Sequence, residues 1–224
     1  KLYSVIAHDL RSPMGSIKMV LNMLILNLPV EKIGTEMHEL LTMANRTTED
    51  VFSLLDNLLK WTKSQIGNLN VVYQDIDAVE VMDSVIDVFN MIAGLKKITI
   101  REEKPEKLPV CADIDMLKTV IRNLLSNAIK FSNENSEVLV KMEEQGDMVV
   151  VSVKDNGCGI DEEGQKKLLH TDTHFSTFGT NNEEGSGLGL LLCQDFVVKN
   201  GGKLWFTSKQ GEGSTFYFSI PLKK

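Results

Sequence analysis

The chain is poor in cysteine. Cys111, Cys158 and Cys193 are odd in number and far apart, which leaves neither a disulfide framework nor metal-ligand spacing and favours a reducing compartment. Long apolar runs are missing too. The most apolar stretch, MVLNMLILNLPV (residues 19–30), is broken by Asn22 and Asn27 and ends at Pro29, short of the ~20 apolar residues that a spanning helix needs. No secretory leader is visible. Positive charge is in deficit, 24 Lys and Arg against 31 Asp and Glu, for a net charge of −7. That balance offers no reason to expect nucleic acid or an anionic membrane as partner. There is no internal repeat or low-complexity tract.

What is present is a 42% hydrophobic chain of 224 residues, enough for one large domain or two small ones. It opens on KLYS with a helical pattern already running. It therefore reads as a cytoplasmic piece of a longer polypeptide, with any membrane attachment left to segments upstream.

Two periods divide the chain. Ile6, Leu10, Met14, Ile17, Leu21, Leu24 and Leu28 step by fours and threes, as a helix seam does. Pro29 stops it. A second seam follows in Ile33, Met37, Leu40, Ala44, Thr47, Val51, Leu54, Leu58 and Trp61, with Leu41, Leu55 and Leu59 widening its apolar face. Two long helices and a short turn predict an antiparallel hairpin. Two helices alone bury little, so the expected completion is a second hairpin from another copy, a dimeric four-helix bundle. Closure against the rest of the same chain is the alternative.

After Gly67 the pattern changes. VVYQDID reads as a strand, AVEVMDSVIDVFNMIAG as a helix and KKITIREEK as a strand, and Pro105 and Pro109 bracket a loop. A helix is expected over about 114–129. A hairpin follows, SEVLVKMEEQ and DMVVVSVKD, turning at Gly146-Asp147. DEEGQKKLL suits a short helix, residues 170–186 a loop, and a helix opens near Gly187. KLWFTSKQ and STFYFSIP close as a hairpin. The expected fold class is α+β in two domains: a helical hairpin over 1–66, then an α/β two-layer sandwich over 67–224.

Four clusters in the second region bear on function. In IRNLLSNAIKFS, Asn123, Asn127 and Lys130 share one helix face. Amide oxygens suit a hydrated magnesium ion and the ammonium suits a phosphate, though a solvated face would look the same. In VVVSVKDNGCGI a strand runs into Asp155, with Gly157 and Gly159 behind it. The carboxylate can accept from an amino group such as that of adenine, and glycines admit a ligand close to the backbone; a plain turn is the bland reading. In EEGSGLGLLLCQDF, Gly185, Gly187 and Gly189 precede an apolar helix whose first amides attract phosphate. Between these lies HTDTHFSTFGTNNEEG, a length of loop usual for lids or disorder.

In this order the clusters resemble the ATP-binding domain of sensor histidine kinases: their N box (Asn123, Asn127, Lys130), G1 box (Asp155, Gly157, Gly159), F box (Phe175, Phe178) and G2 box (Gly185, Gly187, Leu188, Gly189). HDLRSP, at residues 8–13, resembles their H box. The resemblance covers essentially the whole chain. It implies a Bergerat-type sandwich that binds ATP, with Asn123 and Asn127 towards Mg2+. It also implies a homodimer through the hairpin and a response-regulator receiver domain as partner.

In the stretch IAHDLRSPMGSI (6–17), His8 and Ser12 lie at i and i+4 and share a face, off the seam of Ile6 and Leu10. An outward histidine is reachable by a large partner. Pro13 clashes with the carbonyl of Asp9 and is expected to bend the helix beside His8. In the family a ring nitrogen attacks the γ-phosphate of ATP. An adjacent carboxylate, here Asp9, would hold the other ring proton. Ser12 would orient water for dephosphorylation of the regulator.

The sequence departs from the family in places. Asp9 is one methylene shorter than the usual glutamate, and Ser12 replaces threonine or asparagine. No Lys or Arg lies between Lys167 and Lys199, which leaves Lys130, His170 or His174 to meet the terminal phosphate. Two other classes compete. An ATPase without phosphohistidine would need a glutamate on the segment RNLLSNAIK, which has none. A silent dimerisation module would leave the glycine and asparagine elements idle.

Overall fold

The computed structural model describes residues 2–28, 30–65, 70–168 and 188–223. The chain divides into two compact units, Lys1–Leu69 and Asn70–Lys224. The boundary expected at 66/67 falls outside the described residues.

The first unit is a hairpin of α1 (Leu2–Asn27) and α3 (Thr35–Gln65), with the single turn α2 (Val30–Ile33) at its bend. The helices run antiparallel: Lys18 reaches Glu49 at 3.2 Å and lies over the Phe52 ring, while Met14 packs with Leu55, Leu58 and Leu59. Helix α1 continues through Pro13. The apolar period is as the sequence implies, but its facing is not. Leu55 and Leu59, read as widening positions, are the buried ones. The seam residues Leu10, Ile17, Leu24, Met37, Leu40, Val51 and Leu54 stay exposed. A helix in a hairpin meets one neighbour, so only one side of its apolar face can be covered within the chain.

The second unit is built on a mixed sheet. Its strands are β2 (Thr99–Glu103), β4 (Glu137–Gln145), β5 (Met148–Lys154), β6 (Leu204–Lys209) and β7 (Gly213–Pro221), in the order β2-β4-β5-β7-β6. The β2–β4 pair is parallel and the others antiparallel. Alternate residues of the central strands form the core: Val138, Val140 and Met142; Val149, Val151 and Val153; Phe216, Phe218 and Ile220. Helices α4 (Ala78–Leu95), α5 (Ile114–Phe131) and α7 (Leu188–Lys199) make the second layer, and α6 (Glu162–Lys167) is a short surface turn. Aspartates start three of these helices: Asp77, Asp113 and Asp161 each accept a first-turn N–H. This is the α/β sandwich that the resemblance implies. Among the described residues no helix is long and apolar enough to cross a membrane.

The sequence reading missed one strand. β3 (Pro109–Ala112) pairs with β1 (Gln74–Asp77) in a small antiparallel sheet. The loop expected between Pro105 and Pro109 ran up to its first residue, yet a four-residue edge strand tolerates a proline at that position. The tail seals this sheet to the body, since Leu222 bridges Val110 and Lys223 N–H donates to Pro109 O at 2.9 Å. The segment entering the unit is moored as well. Val72 N–H donates to Asp113 Oδ2 at 2.9 Å, and the Tyr73 hydroxyl to Lys199 O at 2.6 Å.

Candidate functional site

Strand β5 delivers Asp155 to a place where a carboxylate is disfavoured: the residue is 4% exposed. Backbone donors compensate. Gly157 N–H at 3.0 Å and Ser214 N–H at 3.1 Å both bond to Oδ1, which leaves Oδ2 to accept from elsewhere. Burial pushes the Asp155 carboxyl up from its usual range, and the backbone hydrogen bonds oppose that shift.

The glycines after it lie against neighbouring backbone. A Cβ on Gly157 would stand 2.1 Å from Phe131 O; one on Gly159, where φ is +64°, would stand 2.0 Å from Lys209 O. Any side chain there would displace the loop from the end of α5 or from the β6–β7 turn. A bridge between Ser132 and Gly157 fixes the first contact. Gly211 N–H donating to Cys158 O at 2.7 Å fixes the second. The Cys158 thiol, between the two glycines, is exposed.

Helix α5 carries Asn123, Asn127 and Lys130 on its half-buried side. Asn123 is held on α5 and abuts α7. Its Nδ2 donates to Thr119 O at 3.0 Å, and its Oδ1 lies 3.0 Å from where a Cβ on Gly189 would stand. The buried Cys193 thiol of α7 donates to Val120 O at 3.9 Å, and burial pushes it up to about 12 against the opposing influence of the Asn123 side chain. Asn127 follows one turn later. Lys130 Nζ sits 5.5 Å from the centroid of the Phe131 ring. Leu188 and Gly189 open α7, where first-turn amides have no intrahelical acceptor.

The structure thus brings Gly157, whose N–H holds Asp155, against the last turn of α5, Gly159 against the end of β6, and Gly189 against the middle of α5. Phe175, Phe178, Gly185, Gly187, His170 and His174 lie outside the described residues. His8, Asp9 and Ser12 are on α1 in the other unit, and their side chains lie outside the described part.

Two contributors escaped the sequence reading. Ser214 acts through its backbone N–H, which no side-chain pattern reveals. Lys96 Nζ donates to Ile129 O at 3.0 Å and to Lys130 O at 2.8 Å; its only sequence signal is a lysine following an apolar helix, in AGLKKITI.

Residues 112–224, about half of the chain, match the family model of histidine kinase-, DNA gyrase B-, and HSP90-like ATPases. Nearly the whole chain aligns with curated relatives. It is 30% identical over 229 residues to the adaptive-response sensory kinase SasA of Crocosphaera subtropica, covering 99% of this chain and 59% of that protein. It is 28% identical over 221 residues to the sensor histidine kinase WalK of Bacillus subtilis, covering 98% and 36%. The chain therefore spans less than two thirds of the length of these relatives. Among solved structures, the catalytic domain of histidine kinase ThkA superposes with a TM-score of 0.59 at 31% identity, over 67% of this chain and 95% of that one. Full-length ShkA in complex with AMPPNP superposes with a TM-score of 0.73 at 20% identity, over 100% and 46%, a likeness of fold.

Proposed function

The chain belongs to the sensor histidine kinases, within the histidine kinase-, DNA gyrase B-, and HSP90-like ATPases, and from that premise we propose that it phosphorylates its own His8 from ATP and passes the phosphoryl group to an aspartate of a response-regulator receiver domain. The observation that carries the proposal is Asp155: a buried carboxylate held through one oxygen, with the other left to accept the amino group of adenine. Gly157, pressed against the end of α5, and Gly159, pressed against the end of β6, would leave backbone, not side chains, facing a ligand.

The phosphates would lie towards α5 and the start of α7. Asn127 and Asn123 offer neutral amide oxygens, Lys130 a cationic head, and α7 its first amides. Among the described residues no three of His, Cys, Asp or Glu gather into a metal site. Amide oxygens instead fit Mg2+ held mostly by water and nucleotide phosphates. Bound there, it would neutralise phosphate charge during transfer. Phe175 and Phe178 belong to the lid in this reading, and Gly185 and Gly187 to the phosphate loop.

A ring nitrogen of His8 would form the bond to the γ-phosphorus as the bond to the β–γ bridging oxygen breaks and ADP leaves. Asp9 would hold the proton on the other nitrogen. Ser12, one turn on, would orient water against the phosphorylated regulator. Residues 1–66 serve in this reading as the dimerisation and phosphoacceptor domain, and 67–224 as the catalytic one. The exposed seam of α1 and α3 supports a homodimer through the hairpin, since a second copy would cover it.

Incubation with γ-labelled ATP and magnesium tests the function. Label on histidine, acid-labile and base-stable, is expected. His8→Ala should abolish it while leaving nucleotide affinity unchanged, because His8 and the nucleotide site lie on different units. Acid-stable label, or release of free phosphate alone, refutes the proposal.

A further inference from the structure

Helix α5 ends where the nucleotide site begins, and its last carbonyls need partners. Ser132 N–H takes Ala128 O at 3.0 Å. The next two carbonyls, of Ile129 and Lys130, both accept from Lys96 Nζ. Lys96 is only 8% exposed. Its own N–H closes α4 on Ala93 O at 3.0 Å, and Lys97, at φ 56°, turns the chain towards β2. The ammonium is thus anchored from the end of one helix and placed at the negative end of the next. Charge and macrodipole are matched there, and the two charge-assisted bonds offset the cost of burying a lysine.

Residues on and next to this turn belong to the proposed site. Asn127 and Lys130 lie on it, Phe131 O abuts Gly157, and Ser132 bridges Gly157, whose N–H holds Asp155. We infer that Lys96 is a positioning residue of the nucleotide site. By pinning the Ile129 and Lys130 carbonyls it sets the distance between the magnesium- and phosphate-side residues of α5 and the adenine-side loop. It touches no ligand itself. The inference rests on the nucleotide-binding reading of the site, which the same experiment examines separately.

The measurement is the affinity of a fluorescent ATP analogue, with magnesium and with EDTA, for the whole chain as wild type, Lys96→Met and Lys96→Arg. Autophosphorylation kinetics and thermal unfolding are followed in parallel. Methionine fills the space without a donor, so Lys96→Met should weaken magnesium–nucleotide binding about tenfold and lose most of the gain from magnesium. Arginine can donate to two carbonyls and should return affinity to within about threefold of wild type. Wild-type affinity in Lys96→Met, whatever the fall in melting temperature, overturns the inference, because Lys96 would then be a cap and nothing more. So does Lys96→Arg binding no better than Lys96→Met. If Lys96→Met does not fold at the assay temperature, Lys96→Gln, which keeps one donor group, takes its place under the same criteria. A wild type that binds no nucleotide overturns the proposed function, and this inference with it.

Discussion

Burial raises the pKa of Asp155, so the ionised form is the one the fold disfavours. The sign follows directly: this group's contribution to stability falls as pH rises from its unfolded value, near 3.8, through the higher folded one. An asparagine has no such loss. Its Oδ1 can still accept from Gly157 and Ser214, but it presents an amino group where Oδ2 was. Asp155→Asn should therefore melt no lower than wild type at pH 8 and bind ATP about ten- to a hundredfold more weakly, as when an acceptor is replaced by a donor at a buried contact. Thermal unfolding and titration calorimetry check both halves. Wild-type affinity should also fade on acidification sooner than an unperturbed aspartate would allow. The thiols make a second residue-scale case. Cys193 is buried with its pKa at about 12, while Cys111 and Cys158 are exposed. A thiol reagent should titrate two groups in the native chain and the third only on unfolding, with ATP slowing the reaction of Cys158. Asp155 was legible because an apolar strand running into DNGCG is a pattern of side chains. Ser214 was not, because its role is carried by backbone that arrives from 59 residues away.

Among the elements, periodicity announced the helices, and their observed spans agree with it closely: α5, expected over about 114–129, is Ile114–Phe131. Facing was harder to read. A wide apolar stripe does not say which of its edges meets the neighbour in the chain, and in α3 it is the Leu55 and Leu59 edge. The other edge, with Val51 and Leu54 on α3 and Ile17 and Leu24 on α1, is exposed, and in the proposed dimer a second copy covers it. A charge there should be felt by association and hardly by folding. Leu54→Lys and Leu24→Glu should each shift the chain from dimer to monomer in sedimentation, raising the dissociation constant at least about a hundredfold, since each places a charge in a packed bundle seam. Helicity should remain. Sedimentation of these variants as wild-type dimers would place the dimer interface elsewhere. β3 escaped notice for a different reason. Four residues are too few to show an alternation, and the strand is defined by its partners, β1 and the tail, at opposite ends of the unit.

For the molecule as a whole, the sequence conveyed two units of different periodicity and the chain order of the nucleotide motifs. Topology lay beyond it. Hairpins β4–β5 and β6–β7 could be read from their turns, but not the parallel β2–β4 pair, nor the insertion of β7 between β5 and β6. Those are settled by which apolar faces fit together, a property of the packed core and not of any segment.

The place of β7 has a consequence for how the protein is born. A chain leaving the ribosome folds from its N-terminal end, so the α1–α3 hairpin is complete while most of the sheet is still unmade. The sheet, by contrast, closes from the inside last. Until residues 213–221 emerge, β5 and β6 have no strand between them, and Asp155 lacks the Ser214 N–H that helps hold it. On the proposed reading, two nascent copies would thus find each other through their hairpins before either is able to grip a nucleotide.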